Sequence, residues 1–575
     1  MKPARVKDSR DEKAGAPMTL PLVPFPASVV MRDEAPFRLT PGTPVTGDAD
    51  AAPHARALLA ALARRHTLLA PREPRRIPPA SEDSAPTVRG PRDSPSLVAA
   101  PVAQDAATAA PGIHLARGEG APESYVLEVT SARVTVTGAD AAGLFYGIQT
   151  LGQLAATGEI PAVRIADAPR FPYRGVMLDV ARHFHPVETV LAYIDRAAAL
   201  KFNRLHLHLT DDQGWRLEIA AHPELTARGA GSSAFGDAGG FFTQDDYRRI
   251  VTYAVARHLT VVPEIDLPGH THAVSLSHPE LCEPPVVTDR VREVTELFGG
   301  GLPVPGEPYH GIAVGFSSLR IDDERTYALL HDVLGEVARL TPGPYLHIGG
   351  DEALGTPPER YDAFVGRVTE MVRRLGKVPM AWHEAGAAPS LAPGTIGQYW
   401  GFVTPTDGMD AEARAFVRGG GSLVLSPADA IYLDMKPHSG SALGLAWANG
   451  PTSLERSYRW DPATVIEGVD ESDVLGVTAP LWTETVRTLA DIDALVFPRI
   501  GSAAEAAWSR DPYGTGERTW ESFRERVAAL APCWRAQGFA MPAESAAEPP
   551  AAEPAAEPPA AAAPPVTPVA EGARA

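Results

Sequence analysis

Two neighbouring carboxylates follow the segment YLHIGG near the middle of the chain. They are Asp351 and Glu352. Successive residues of a strand face opposite ways, but the chain bends where a strand ends, so both side chains can reach one site. Two carboxylates this close cannot both ionise freely, and the pKa of one should rise. Such an acid can protonate a leaving oxygen, as cleavage of a glycosidic bond requires. The alternative is that Asp351 only caps the following helix.

Several other strand-like segments also end in polar or aromatic side chains. Sugars have apolar faces that stack on indole rings, and hydroxyl groups that bond to carboxylates and guanidinium groups. If these strand ends meet, the combination predicts a carbohydrate-binding pocket. The residues at these strand ends are Asp179, Arg182, His183, Asp211, Asp212, Trp215, Glu264, Asp266, His270, Trp382, His383, Glu384, Trp400, Tyr432, Asp434, Trp482 and Glu484.

Strands and helices alternate over about 370 residues, which predicts a (β/α)8 TIM barrel. In such a barrel the active site lies at the carboxyl ends of the strands, where the residues above are placed. Helices are predicted at 187–200, 244–258, 323–339, 358–375, 410–418 and 491–508. The predicted strands are 175–180, 204–210, 260–266, 345–351, 378–384, 395–400, 422–427 and 474–482.

Composition divides the rest of the chain into a smaller α+β domain and three segments that we expect to be disordered. The α+β domain is predicted over 18–168, with a hairpin at 125–130 and 132–138 and a helix at 141–156. The catalytic barrel is predicted over 169–537. Segments rich in proline, alanine and charge predict disorder at 1–17, at about 70–112 and in the Ala/Pro/Glu-rich tail 538–575.

The charge balance and the cysteine count exclude several classes of protein. The 575 residues include 52 basic and 71 acidic residues, a net charge of −19, which argues against nucleic-acid and anionic-membrane binding. Only Cys282 and Cys533 are present, too few for a disulfide scaffold or a Cys-rich zinc site. The N-terminal segment has no apolar signal region, so we expect a cytoplasmic protein, with export by another route left open.

Eight motifs along the predicted barrel resemble those of family 20 glycoside hydrolases, the β-N-acetylhexosaminidases. In order they are RGVMLDVARHF, HLHLTDDQGW, VVPEIDLPGHTHA, YLHIGGDEA, AWHE, GQYW, SPADAIYLD and APLWTE. The resemblance covers about 171–510, and the first unit is similar to the α+β domain that commonly precedes this barrel. It implies an exo-acting enzyme that releases terminal β-linked GlcNAc or GalNAc with retention. The substrate's own acetamido oxygen would attack the anomeric carbon and form an oxazolinium.

The resemblance also implies a role for each residue of the expected pocket, with no cofactor and no metal. Glu352 would be the general acid/base, while Asp351 would accept the acetamido N–H and Tyr432 would donate to the acetamido oxygen. Asp211 and His270 would tune Glu352. The walls of the acetamido pocket and of the sugar face would be formed by Trp382, Trp400 and Trp482. The outer hydroxyl groups of the terminal sugar would bind to Arg182, Asp434 and Glu484. The preferred hexosamine, the natural glycan (chitin fragments among others) and the oligomeric state stay open.

Two other functions compete with this prediction. His206 and His208 form an H-x-H pair on a predicted strand, which is also how metal-dependent amidohydrolases hold a metal ion. A sugar-binding protein without activity is the second alternative. The intact Asp351, Glu352 and Tyr432 set argues against the latter, because loss of function usually removes the acid.

Overall fold

The computed structural model describes residues 20–69, 111–155, 158–354 and 356–541 of the chain. Its first part is an α+β domain whose six-stranded sheet has the order β1-β8-β5-β6-β4-β3. Helices α1 (Ala51–Leu69) and α2 (Ala141–Leu154) belong to this domain. The strands are β1 (Ser28–Met31), β2 (Phe37–Arg38), β3 (Val45–Gly47), β4 (Gly112–Arg117), β5 (Tyr125–Val129), β6 (Arg133–Gly138), β7 (Glu159–Ile160) and β8 (Val163–Asp167), with β2 paired to β7.

The alternating burial of the side chains of β5 and β6 explains why these segments form strands of one sheet. Every second residue of each strand is buried, so one face packs inward and the other meets solvent. The strands pair in antiparallel register, with Leu127 opposite Val136. Helix α2 is almost entirely buried and begins at Asp140, whose side chain accepts from the backbone N–H of Gly143. The predicted hairpin and the predicted helix are thus present, the helix ending two residues early.

The second part is a closed barrel of eight parallel strands. Its strands follow the order β10-β13-β14-β15-β16-β17-β18-β9, and a short hairpin of β11 and β12 follows the second strand. In chain order the strands are β9 (Tyr173–Asp179), β10 (Arg204–His208), β11 (Thr210–Asp211), β12 (Gly214–Trp215), β13 (Thr260–Glu264), β14 (Tyr345–His347), β15 (Val378–Trp382), β16 (Ile396–Tyr399), β17 (Leu423–Leu425) and β18 (Val474–Ala479).

Helices connect the barrel strands or lie in the loops between them. They are α3 (Val187–Ala199), α4 (Glu224–Gly229), α5 (Gln244–Val255), α6 (His272–Ser275), α7 (Asp289–Phe298), α8 (Glu324–Leu340), α9 (Pro358–Arg374), α10 (Met409–Arg418), α11 (Ala428–Ile431), α12 (Leu454–Tyr458), α13 (Leu489–Val496), α14 (Arg499–Trp508) and α15 (Trp520–Ala536). Short 3-10 turns occupy Ala234–Gly236, Pro279–Leu281, His383–Ala387, Pro462–Thr464 and Glu471–Asp473.

The barrel interior changes character from one end to the other. Near the amino ends of the strands it holds an apolar cluster that includes Tyr173, Val262 and Met380. Near the carboxyl ends the buried residues are polar, among them His208 and Glu264. Burying so many polar groups costs free energy unless they hydrogen-bond to one another. The polar residues at this end therefore indicate a functional site, because a purely structural core would be apolar.

A buried polar cluster joins the two domains. Nζ of Lys201 lies 3.0 Å from Oδ2 of Asp167, and the hydroxyl of Tyr125 donates to the same oxygen at 2.6 Å. The indole of Trp508 donates to it as well, at 3.0 Å. Because the carboxylate of Asp167 belongs to the first domain and Lys201 and Trp508 to the barrel, the domains share one hydrogen-bonded interface.

The predicted fold class is confirmed, with local corrections. The helix predicted at 491–508 is two helices, α13 and α14, because Pro498 has no N–H to continue the first. Gly112, placed in the disordered insertion, begins β4. The other expectations of disorder fall on residues outside the described ranges, apart from 538–541, which follow α15. None of the described helices has the length and hydropathy of a membrane span.

Candidate active site

Every predicted site residue lies at the carboxyl end of a barrel strand, and together they use all eight strands. Arg182 follows β9, Asp211 lies just after β10, and His270 follows β13. The remaining residues lie at the end of the next five strands or after it, in turn: Asp351 and Glu352, Trp382, Trp400, Tyr432 with Asp434, and Trp482 with Glu484. The barrel therefore gathers in one place residues that the sequence spreads over three hundred positions.

The chain bends sharply where β14 delivers the two adjacent carboxylates. Gly349 and Gly350 have φ of 68° and 101°, and a Cβ on Gly349 would lie 1.6 Å from Oδ1 of Asp266. Glu352 itself has φ of 48°, which residues other than glycine rarely adopt. This bend is what turns both side chains toward His270, another residue with positive φ, at 55°. Such strained backbone is typical of functional sites.

His270 connects the two carboxylates to the rest of the network. Its Nε2 lies 3.3 Å from Oε2 of Glu352 and 3.7 Å from Oδ2 of Asp351, while its Nδ1 lies 3.2 Å from Oδ1 of Asp211. Burial lowers the pKa of His270, but the charges of Asp211, Asp266 and Asp351 outweigh burial and raise it well above its usual value. An imidazolium therefore stands between Asp211 and the two carboxylates.

The raised pKa expected for one of the two carboxylates is found on Asp351. Burial is the main cause; His270 opposes it, and the neighbouring charge of Glu352 adds to it. The side chain of Asp351 is only 11% exposed, whereas that of Glu352 is 31% exposed. Oδ1 of Asp351 has no hydrogen-bond partner among the described protein atoms, although it is buried. Such an acceptor is available to a ligand.

Asp211 carries the opposite shift because it has cationic neighbours. Its Oδ2 lies 2.9 Å from the guanidinium of Arg182 and 2.8 Å from Nε2 of His208. Burial alone would raise its pKa, but Arg182, His270 and His208 hold the pKa of Asp211 far below its usual range. Arg182 also lies over the ring of Trp482, with 4.7 Å between the guanidinium carbon and the ring centroid.

A second buried carboxylate, Glu264, organises the floor beneath the pocket. Its Oε2 contacts Nε2 of His206 at 3.0 Å and Nδ1 of His208 at 2.6 Å. Its Oε1 accepts from the indole N–H of Trp382 at 2.8 Å and lies 3.2 Å from Nδ1 of His347. The H-x-H pair on β10 is thus bonded to Glu264, and Glu264 in turn accepts the indole N–H that holds the ring of Trp382 in place. Glu264 was expected at a strand end, but no role was predicted for it.

Aromatic rings form the other side of the site. The centroids of Trp382 and Trp482 are 5.9 Å apart, and Tyr432 lies 6.4 Å from Trp482. The indole N–H of Trp400 donates to Oε2 of Glu384 at 2.9 Å. Trp447, which is 42% exposed, meets Trp400 and Tyr432 edge to face at 5.9 and 5.8 Å. Trp447 was missed because its loop has no periodic pattern that places it near a strand end.

Two carboxyl groups, those of Asp434 and Glu484, lie next to the aromatic residues. Oδ1 of Asp434 accepts from the backbone N–H of Trp482 at 3.3 Å, and its buried Oδ2 has no partner among the described protein atoms. Burial, reinforced by Glu484, raises the pKa of Asp434 well above its usual value. Burial also raises the pKa of Glu484 to about 7, with Arg182 opposing the shift. In the protonated form that these shifts favour, each acid can both donate to and accept from hydroxyl groups.

Comparisons with known proteins agree with this geometry. The family model "Glycosyl hydrolase family 20, catalytic domain" matches residues 171–511, and "Glycosyl hydrolase family 20, domain 2" matches 19–168. A beta-N-acetylhexosaminidase of Cellulomonas fimi is 40% identical over 425 residues, covering 72% of this chain and 79% of the relative.

Solved structures resemble the whole described fold. A family 20 beta-N-acetylglucosaminidase structure has 54% sequence identity and a TM-score of 0.78, covering 91% of this chain and 98% of that one. The beta-N-acetylhexosaminidase of Streptomyces coelicolor A3(2) has 39% identity and a TM-score of 0.75, covering 91% and 97%.

Proposed function

The chain belongs to family 20 of the glycosyl hydrolases, and from this premise we propose a role for each residue of its pocket. It is a β-N-acetylhexosaminidase of the retaining, substrate-assisted kind. In this reaction the acetamido oxygen of the substrate attacks the anomeric carbon as the leaving oxygen is protonated, and water then opens the oxazolinium. The protein must hold the acetamide in one pose, stabilise developing positive charge and move one proton.

The unpartnered oxygen of Asp351 is the observation that carries the assignment. Oδ1 of Asp351 is buried without a hydrogen-bond partner among the described residues. The charge of Asp351 acts on Tyr432, which packs in one cluster with Trp382 and Trp482. We assign Oδ1 of Asp351 the acetamido N–H, so that charge developing on the nitrogen meets a carboxylate. Tyr432 donates to the acetamido oxygen and aims it. Burial and Asp434 raise the pKa of this phenol well above its usual value, so it stays a donor at neutral pH.

Glu352 is assigned the proton transfers. It is the more exposed of the two adjacent carboxylates, and water and a leaving group can reach it from the open side. His270, held by Asp211, sits 3.3 Å from its Oε2. When Glu352 gives up its proton, the imidazolium of His270 stabilises the carboxylate that remains, and Asp211 keeps that imidazolium charged.

The outer hydroxyls of the sugar are assigned to Arg182, Asp434 and Glu484. These groups follow three neighbouring strands, β9, β17 and β18, and Arg182 stacks on Trp482. A carboxyl group with a free oxygen and a guanidinium group give directional bonds to vicinal hydroxyls. Because they close the end of the pocket, only a terminal sugar fits, and this is why we propose exo action. The substrate is a small carbohydrate; a cytoplasmic location stays a prediction.

The experiment compares leaving groups in Glu352→Gln. With an aryl β-N-acetylglucosaminide whose alcohol is a poor leaving group, kcat should fall by about 10²–10⁴-fold, the usual range for loss of a general acid. With a strongly activated aryl alcohol, which needs little protonation, the loss should be far smaller. The matched control is Glu359→Gln, an exposed carboxylate on α9, which should leave both rates unchanged. Equal losses on both substrates would remove Glu352 from the acid role.

A parallel assay tests the participation of the acetamide. The wild-type chain should release aryl alcohol from the β-N-acetylglucosaminide and not from the matching β-glucoside, which lacks the acetamido oxygen. Comparable hydrolysis of both would point to a protein nucleophile instead and would contradict the roles given to Asp351 and Tyr432.

A further inference from the structure

A second cluster of ligand-type side chains lies outside the pocket. His222, Glu224 and His278 each offer one donor atom, and the three atoms lie within 4.8 Å of one another. Nε2 of His278 is 3.1 Å from Oε1 of Glu224, and Nδ1 of His222 is 3.6 Å from the same oxygen. The side chains are 13–39% exposed, so solvent reaches the cluster. The other groups of this kind among the described residues are buried beneath the substrate site.

The two measured spacings match the edges of a tetrahedral metal site. Zinc binds histidine nitrogen at about 2.0–2.1 Å and carboxylate oxygen at about 2.0–2.2 Å, which places neighbouring ligand atoms about 3.3–3.4 Å apart. The distances of 3.1 and 3.6 Å fall on either side of this value. Two histidines and one glutamate with solvent in the fourth position is also a known zinc ligand set.

The second nitrogen of each histidine has an oxygen partner of its own. Nε2 of His222 lies 3.2 Å from Oδ2 of Asp332, and Nδ1 of His278 lies 2.9 Å from the hydroxyl of Ser277. That hydroxyl donates to the carbonyl of Val274, so it accepts from the ring. Metal-binding histidines are held in this way, with the outer N–H given to a carboxylate or another oxygen.

When the outer nitrogen of each histidine carries the ring proton, the two inner nitrogens present their lone pairs to the same oxygen of Glu224. Such an arrangement is repulsive unless a cation stands between the three atoms or both rings take up a second proton.

The backbone holds the donors in place. Pro223 separates His222 from Glu224 and begins α4, and the N–H of His222 donates to the carbonyl of Ile219. The N–H of His278 donates to the carbonyl of Val274. Helices α4 and α6 pack so closely that a Cβ on Gly229 would lie 2.9 Å from the carbonyl oxygen of Ala273. The site is therefore formed before any ion binds.

We propose that His222, Glu224 and His278 bind one divalent transition-metal ion of the zinc class. His222 and Glu224 lie in the loop after the second barrel strand, which also carries Asp211. His278 lies in the loop after the third strand, which also carries His270. The ion therefore links the two loops that support the acid relay, and its chief effect is on their stability.

The test titrates Zn²⁺ into the full chain after treatment with a chelator, followed by calorimetry. Wild type should take up one equivalent, and His222→Ala and His278→Ala should each weaken binding at least tenfold. The matched control is His331→Ala, an exposed histidine 3.6 Å from the other oxygen of Asp332, which should bind as wild type does. Asp332→Asn should keep the stoichiometry and lose about tenfold in affinity, the lower end of the 10–100-fold range for such outer partners.

Two further measurements keep the result decisive. Zn²⁺ should raise the thermal unfolding midpoint of wild type and of His331→Ala, and leave those of His222→Ala and His278→Ala unchanged. Without added Zn²⁺, His222→Ala and His278→Ala should cleave the aryl β-N-acetylglucosaminide at the wild-type rate. This result would show that both variants are folded. No stoichiometric uptake by wild type, or equal affinity in the two histidine variants, would overturn the site and leave a pair of histidine–carboxylate contacts.

Discussion

The two halves of the pocket bury carboxyl groups in opposite ways. We call residues from the first four strands the charged half and those from the last four the aromatic half. In the charged half, Asp211 lies against Arg182 and His270, and its pKa is far below the usual range. In the aromatic half, Asp434 has no ion-pair partner among the described residues, and burial raises its pKa well above the usual range. The same type of side chain is thus favoured as an anion on one side and as a neutral acid on the other.

The difference shows what each half is built to do. Charges that are paired and bonded can remain charged in a dry site, and they serve proton transfer and charge stabilisation. Neutral acids beside indole rings bind hydroxyl groups without attracting counter-ions. Asp351 stands at the boundary: it faces His270 of the charged half, but burial still raises its pKa. The substrate's acetamide is expected at this boundary.

The largest expected effect compares Asp211→Asn with Asp434→Asn. Asparagine at 211 leaves Arg182 and His270 buried beside a neutral group, which should cost about 3–5 kcal/mol of unfolding free energy. Asparagine at 434 replaces a neutral acid by a group of similar shape and should cost about 1 kcal/mol or less. Denaturant unfolding at pH 7 measures both. Similar losses at the two positions would mean that the two halves do not differ in charge.

The second prediction compares how substitutions of Asp351 and Tyr432, the two residues assigned to the acetamide, change kcat and KM. Asp351→Asn removes an anion from beside the developing positive charge and should lower kcat by about 10²–10³-fold, the range for loss of one such electrostatic contact. Tyr432→Phe, from the aromatic half, should lose less. In both variants KM should change much less than kcat, because these contacts strengthen in the transition state. A loss confined to KM would contradict both assignments.

Much of this pocket could be predicted because a closed barrel brings the carboxyl ends of its strands together at one face. The strand count and the rule that the carboxyl ends face the substrate were enough to place Arg182 and Glu484 at this end of the barrel, whereas their roles came from the family resemblance. The Glu264 network could not be predicted in the same way. His208 pairs with Glu264, and Glu264 pairs with His347, across neighbouring strands, and this register follows from barrel closure.

Two other groups escaped prediction because long loops place them. Trp447 reaches the aromatic half from the loop after β17, and nothing in its local pattern shows where that loop folds. His222 and His278 lie more than fifty residues apart and meet only because α4 and α6 pack together. Side chains on strand ends are predictable from topology, whereas those on long loops depend on tertiary packing.

Glu484 gives the third prediction, a dependence of stability on pH. Its pKa is about 7 in the folded chain, against 4.5 ordinarily, so the folded state holds a proton that the unfolded chain releases between these values. The stabilisation is complete below about pH 4.5 and is lost as the pH rises through 7. Relative to Glu484→Gln, wild type should therefore lose about 2–3 kcal/mol of unfolding free energy between pH 4.5 and 7.5. Parallel pH profiles for the two proteins would contradict this.

The smallest effect concerns Glu384, which accepts the indole N–H of Trp400 at 2.9 Å. Burial, with the charge of Asp351, raises the pKa of Glu384 well above its usual value, so it belongs with the neutral acids of the aromatic half. Glu384→Gln keeps an oxygen for the indole and should change KM by less than about twofold. Glu384→Ala frees the indole and should raise KM by about fivefold, near 1 kcal/mol for one lost hydrogen bond.

Steady-state kinetics at pH 6 with the aryl β-N-acetylglucosaminide measure both Glu384 variants. The comparison between them matters more than either value. If Glu384→Gln is as poor as Glu384→Ala, then a negative charge is what Trp400 requires. The aromatic half would then contain an anion near Asp351. Only Asp434 and Glu484 would remain as the neutral acids that distinguish the aromatic half from the charged half.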